Sequence, residues 1–167
     1  MNLSALKHVR SEKDPFTLIR LISTNIFNVE KTLKQSIKKG VKNYFSVSTD
    51  KAANPANIMG ASKRIMELFM FKESSKINVT SARFANVLFS DGSLLYSFNQ
   101  RISKKQPIVA PLDIKRYFIS RNQAAELCLI AALEGNNRDI FFPKLNSKND
   151  LKSFKGIVLS YLKEKGL

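Results

Sequence analysis

From Pro15 to Lys39 the apolar residues Phe16, Ile19, Ile22, Ile26, Val29, Leu33 and Ile37 recur at steps of three and four, the spacing that lines one face of a helix. The pattern predicts one long helix, ended by Gly40, with those residues turned inward. The period then changes. "KNYFSVS" is short, aromatic and β-branched, and predicts a strand from about Asn43 to Ser48. Helical spacing returns from about Asn57 to Lys72, with Ile58, Ile65, Leu68 and Phe69 inward, and "INVTSARF" at 77–84 predicts the next strand. "SDGS" at 90–93 turns the chain into a helix ending near Lys105, followed by "PIVA" as a short extended piece. "SRNQAAELCLIAALEG" reads as a helix with Ser120 as N-cap and Gly135 as stop. "RDIFFP" is extended, and a last helix covers about Asp150 to Lys163.

Strands separated by helices of about ten residues or more need crossover connections, so the expected fold class is α/β, with a mostly parallel sheet covered on both faces. The pattern supplies two clear strands and two weaker ones, fewer than the roughly five of a self-sufficient doubly wound sheet. The expectation is therefore a partial Rossmann-like sheet in one continuous region over residues 1–167.

Composition narrows the function. With 167 residues, 44% of them hydrophobic and twelve of them Phe, the chain has material for one core and does not read as disordered. No apolar run approaches the ~18 residues of a membrane span, and the amino terminus lacks the apolar centre of a signal peptide, so a cytoplasmic location is expected. The single cysteine, Cys128, lies in "AAELCLIAAL" and reads as a small core hydrophobe. It excludes a disulfide framework, and no metal site is expected. Lys and Arg number 28 against 13 Asp and Glu, a net charge of +15, which favours polyanionic partners: nucleic acid, an anionic surface or phosphorylated small molecules. The basic residues fall mostly in the last turns of predicted helices, where they complement the helix dipole, and no zinc-finger spacing or aromatic nucleic-acid motif accompanies them. No specific nucleic-acid partner is expected, although a noncatalytic basic binding module remains an alternative.

"VSTDKAANPANIMGASK" at 47–63 carries the candidate chemistry. Thr49, Asp50 and Lys51 directly follow a predicted strand, and ligands of open parallel sheets sit beyond strand carboxyl ends. By position alone the same residues could simply cap the next helix.

Four stretches together decide between these readings: "ALKHV" (5–9), residues 24–63, "SARFANVLFSDGSL" (81–94) and "IKRYFIS" (114–120). They resemble the extended short-chain dehydrogenase/reductase superfamily and, within it, the nucleotide-sugar 4,6-dehydratases of the CapD-type polysaccharide biosynthesis family. The resemblance implies NAD or NADP as cofactor, a UDP- or GDP-linked N-acetylhexosamine as substrate, and a 4-keto-6-deoxy sugar nucleotide as product. It implies that residues from about 84 to 167 face the substrate. Members of the family often associate through their long helices, and "FTLIRLISTNIFNVEKTL" (16–33) is open to that use as a homo-oligomer contact or, equally, to core packing. The superfamily pattern places a Ser or Thr after this strand, then a Tyr and a Lys four residues apart on the next helix. Thr49 and Lys63 match the first and last, and the Tyr position is Met59. A thioether has no proton to exchange, but part of the dehydratase family resembles this sequence in carrying Met beside an intact Thr-Asp-Lys group. The implied roles are Asp50 as general acid or base, Lys51 as base for the sugar C5 proton, Thr49 orienting the reacting hydroxyl and Lys63 holding the cofactor ribose. The resemblance also puts Lys7 at the cofactor, His8, Asn86 and Arg116 at the nucleotide sugar, and Asn25 beneath the site. A related epimerase or reductase on the same scaffold is the alternative within the enzyme class, weakened by Met59.

One expected part is missing from the sequence. The six glycines at 40, 60, 92, 135, 156 and 166 are too dispersed to form the Gly-rich turn that cradles a cofactor pyrophosphate. The family places that turn, and the first half of the nucleotide-binding sheet, before the position occupied here by Met1.

Overall fold

The computed structural model describes residues 1–7, 12–88, 90, 93–109, 111, 113–146 and 151–166. In chain order its elements are α1 (Pro15–Ile22), a π-helical turn (Ser23–Phe27), α2 (Asn28–Lys38), β1 (Asn43–Thr49), a 3₁₀ turn (Asp50–Ala52), α3 (Ile58–Lys72), β2 (Asn78–Phe84), β3 (Asn86–Val87), α4 (Leu94–Ser103), β4 (Lys115–Ile119), α5 (Arg121–Leu133), β5 (Ile140–Phe141), β6 (Leu151–Ser153) and α6 (Phe154–Glu164). They form two compact units: Met1–Phe84 with Ala125–Pro143, and Ala85–Ala124 with Lys144–Leu167.

The first unit is a layered α/β body. Strands β1, β2 and β5 lie parallel in the order β1-β2-β5, with β1 and β2 in register from Asn43 opposite Asn78 to Thr49 opposite Phe84. The backbone of Asn2 pairs with the outer edge of β1, its N–H donating to the Phe45 carbonyl (2.7 Å) and its carbonyl accepting from Val47 (3.2 Å). Because side chains alternate across a strand, the sheet feeds two cores. Tyr44 and Val79 meet Val29 and Leu33 of α2 and Met66 and Met70 of α3. On the other face Phe45 and Ala82 meet Cys128 and Ala131 of α5. Cys128 is buried, which pushes its thiol pKa up.

The predicted long helix is continuous but not regular. Asp14 caps it by accepting from the Thr17 N–H at 2.7 Å, Pro15 opens it, and Gly40 at φ +69° follows its end. The π-helical turn inserts extra backbone at Ser23–Phe27 and rotates the inward face. Leu21, Asn25, Val29 and Leu33 line the inside, whereas Phe16 (80% exposed) and Ile19 (61%), both predicted inward, face out. The expected inner face of α3 is corrected as well. Ile58, Ile65 and Leu68 are exposed, and the buried side is Met59, Ser62, Lys63, Met66, Glu67 and Met70.

The second unit has its own sheet and core. β3 pairs parallel with β4, and β4 pairs antiparallel with β6. Leu95 and Phe98 of α4 pack on Tyr161 of α6, joined by Leu88, Ile102, Ile108, Ile157 and Val158, and the Tyr161 hydroxyl donates to Asn99 Oδ1. The predicted last helix starts later than expected: Leu151–Ser153 pair with β4, and Ser153 caps α6 by accepting from the Gly156 N–H at 3.0 Å. Asp150 lies outside the described residues. "IKRYFIS" forms β4, which the periodicity did not announce, and 107–109 of "PIVA" have no regular structure. Ser120 does cap α5, its hydroxyl accepting from the Gln123 N–H (3.1 Å) while Gln123 Oε1 accepts from the Ser120 N–H (2.8 Å). Among the described residues no helix is long and apolar enough to cross a membrane.

Candidate active site

Residues of "VSTDKAANPANIMGASK" converge at the carboxyl end of β1. Thr49 is both the last residue of the strand and the N-cap of the 3₁₀ turn, its Oγ1 accepting from the Lys51 N–H at 3.4 Å. The Thr49 hydroxyl donates to Asp50 Oδ1 at 3.0 Å, and Lys51 Nζ donates to the same oxygen at 2.9 Å. One carboxylate oxygen thus joins a hydroxyl and an ammonium. Both charged groups stay accessible, Asp50 at 49% and Lys51 at 38% side-chain exposure, so they can reach a bound molecule. Among the described residues no group of His, Cys, Asp and Glu could hold a metal ion.

The turn is fixed from below by the start of α3. Asn57 caps that helix by accepting from the Gly60 N–H at 2.8 Å. Gly60 is inside the first turn, where a Cβ would lie 2.8 Å from the Lys51 carbonyl oxygen and 3.3 Å from the Lys51 Cβ. Only a residue without a side chain lets the Asp50–Lys51 backbone lie this close to the helix. Met59 beside it is buried, and its N–H donates to Glu12 Oε1 at 3.0 Å.

Lys63 is one turn further along the same face and only 3% exposed. Its Nζ donates to the Val47 carbonyl at 2.8 Å and lies 3.6 Å from Met66 Sδ. Burial lowers its pKa to about 8, partly opposed by the nearby Glu67 carboxylate. An ammonium has three protons to donate, so the Val47 contact anchors Lys63 and leaves donors over.

Two buried groups hold this arrangement together, and one was not anticipated. Glu67, with no exposed surface, accepts from Ser48 Oγ (2.7 Å) and from the Arg83 Nε and Nη2 (2.8 and 2.6 Å). It ties α3 to the last turns of β1 and β2, directly before Thr49. The signal was available: Glu67 is four residues after Lys63 and therefore on its face, but a carboxylate in a helix reads as surface until its partners are known. Asn25, inside the π-helical turn, is likewise fully buried. Its Oδ1 accepts from the Leu6 N–H (2.9 Å), and its Nδ2 donates to the Leu6 carbonyl (2.9 Å) and to Ser62 Oγ (3.0 Å). Ser62 in turn donates to the Met59 carbonyl at 2.7 Å. Asn25 thus fixes the segment carrying Lys7 and the start of α3 at once.

The other candidates are placed separately. Lys7 is exposed just after Leu6, and His8 lies outside the described residues. Asn86 and Arg116 belong to the second unit. The Asn86 Nδ2 donates to the Tyr117 carbonyl at 3.0 Å, which fastens β3 to β4. Arg116 is exposed, with Nη1 donating to the neighbouring Lys115 carbonyl at 2.9 Å.

Comparison with known proteins matches residues 1–162 to the family described as "Polysaccharide biosynthesis protein". The chain is 36% identical over 144 residues to the capsular polysaccharide biosynthesis protein CapD of Staphylococcus aureus, covering 83% of this chain and 23% of that protein. It is 31% identical over 147 residues to a UDP-glucose 4-epimerase of Rickettsia rickettsii, covering 84% and 42%. It is 30% identical over 157 residues to an inverting UDP-N-acetylglucosamine 4,6-dehydratase of Campylobacter jejuni, covering 88% and 46%. The chain therefore spans less than half the length of these curated relatives. Among solved structures, Pen from Bacillus thuringiensis superposes with a TM-score of 0.86 at 27% identity, over 98% of this chain and 52% of that one. DesIV, a dTDP-glucose 4,6-dehydratase from Streptomyces venezuelae with NAD and TYD bound, superposes with a TM-score of 0.81 at 17% identity, over 99% and 58%, and shares the fold.

Proposed function

The chain belongs to the polysaccharide biosynthesis protein family, within the extended short-chain dehydrogenase/reductase superfamily, and from that premise we propose that it serves the 4,6-dehydration of a nucleoside-diphosphate N-acetylhexosamine. The observation that carries this reading is the hydrogen-bonded Thr49, Asp50 and Lys51 group at the end of β1, beside a buried Met59 that has no exchangeable proton. NAD or NADP is the cofactor of the proposed reaction, supplying hydride transfer when bound. The residues present fit its ribose end: Lys63 is a buried, anchored donor one helical turn from Met59. The six glycines are dispersed along the sequence, at 40, 60, 92, 135, 156 and 166.

The chain's own residues then manage two protons. Asp50, reached through the Thr49 hydroxyl, takes the proton of the sugar C4 hydroxyl as that carbon is oxidised to the ketone. The ketone acidifies the C5 proton, and Lys51 acts as the base that removes it. Asp50 returns its proton to the departing C6 hydroxyl, which leaves as water. Lys51 gives its proton back to C5 as C6 is reduced, so both groups end as they began. General acid and base groups of this kind contribute roughly 10²- to 10⁴-fold each. Asn86 and Arg116 contact the nucleotide sugar in this reading, Arg116 offering its planar fork to the diphosphate.

The test is incubation of the protein with UDP-N-acetylglucosamine and excess NAD in deuterated water, read by mass spectrometry. Loss of one water with deuterium at C5 supports the reading. Conversion to a C4 epimer without loss of water favours the epimerase alternative, and affinity for unrelated DNA that falls steeply with salt, without turnover, favours a basic binding module.

A further inference from the structure

Two cations stand face to face on the sheet of the second unit. In the antiparallel β4–β6 pair Arg116 is directly opposite Lys152, and side chains directly opposite share one face of the sheet, with Cβ atoms about 5 Å apart. Both residues are exposed, and among the described residues neither joins an ion pair. Like charges in this position destabilise a sheet. The next element adds to the imbalance: α6 begins right after β6, has no acidic residue in its first turn, and carries Lys155 there. The positive end of a helix dipole disfavours a cation and favours an anion at that place. Three local choices thus oppose stability within a few residues, and such concentrated violations of local preference mark functional sites.

Building on the proposed reaction, in which Arg116 meets a nucleoside diphosphate, we propose that Lys152 is a second diphosphate-binding residue, paired with Arg116 across the β4–β6 ladder beside the amino terminus of α6. The two cations are complementary. The guanidinium fork fits two phosphate oxygens at fixed geometry, and the ammonium supplies a mobile point charge. A diphosphate presents two adjacent negative charges, which cancels the repulsion between Arg116 and Lys152 and satisfies the helix terminus. Lys155 adds to the same positive field.

The experiment compares the full chain with Lys152→Gln, and with Lys163→Gln at the far end of α6 as a surface-charge control. Thermal melting and calorimetry are run with UDP, uridine and inorganic pyrophosphate. Without ligand, Lys152→Gln is expected to melt no lower than the parent, because a repulsion is removed. Its UDP and pyrophosphate affinities are expected to fall about tenfold or more, the range of one charge-assisted hydrogen bond, while uridine binding and the Lys163→Gln variant are unaffected. Equal UDP affinity in parent and Lys152→Gln overturns the assignment, as does an equal loss in Lys163→Gln or an absence of UDP binding by the parent. Lys152-dependent UDP binding without sugar turnover upholds the diphosphate site and refutes the dehydratase reading. Turnover with UDP binding indifferent to Lys152 does the reverse.

Discussion

Lys63 carries a measurable electrostatic cost. Its pKa is lowered to about 8 by burial, so the folded chain holds this proton less tightly than an unfolded lysine near its ordinary 10.5. Between these values the unfolded state binds more protons, and stability rises with pH. The cost is present in full below about pH 8 and gone above about 10.5, on the order of 3 kcal/mol in all. Urea denaturation is expected to show parent stability gaining on Lys63→Met by that order between pH 7 and the upper limit. Asp50 and Lys51 are expected to behave differently. Their ion pair is half-exposed and worth at most about 1 kcal/mol, so Asp50→Asn and Lys51→Ala leave the melting temperature nearly unchanged. Dehydration turnover is expected to fall by roughly 10²-fold or more in each, with C5 deuterium exchange lost in Lys51→Ala.

The helices show why apolar spacing alone misassigned faces. In α3 the buried side carries Ser62, Lys63 and Glu67, each hydrogen-bonded to a residue far away in sequence: Asn25, Val47, and Ser48 with Arg83. Burial there follows available partners, while Ile58, Ile65 and Leu68 remain outside. Removing one partner of a buried ion pair typically costs about 3–5 kcal/mol, so Glu67→Ala is expected to lower the melting temperature sharply, and guanidinium denaturation checks the size. Gly60 gives a prediction of reversed sign. Gly→Ala inside a helix ordinarily stabilises by about 1 kcal/mol, but the new Cβ would lie 2.8 Å from the Lys51 carbonyl. Gly60→Ala is expected to destabilise the chain and to reduce turnover by displacing Lys51. In α1–α2 the π-helical turn changes the phase, which a uniform period of 3.6 residues cannot represent.

For the whole molecule, the alternation of helix and strand conveyed the α/β class and the parallel pairing of β1 and β2. The short strands β3, β5 and β6 have two or three residues each, too few to show a period, and exist because a neighbouring strand supplies hydrogen bonds. The net charge of +15 suggested a polyanion without locating it; only the β4–β6 register brings Arg116 and Lys152 together. The six glycines stand far apart in the sequence, unlike the Gly-rich turn that cradles a cofactor pyrophosphate. Calorimetry with these 167 residues is accordingly expected to show NAD affinity weaker than micromolar.

The sequence by itself determined the class of fold and the placement of Thr49, Asp50 and Lys51 after a strand, because these depend on neighbours within a few residues. Tertiary structure decided which faces are inside, that Lys63 donates a hydrogen bond to the Val47 carbonyl, and that Glu67 and Asn25 clamp the site from two sides. Those outcomes depend on partners 16 to 37 residues away, and a buried polar group is tolerated only where such a partner meets it.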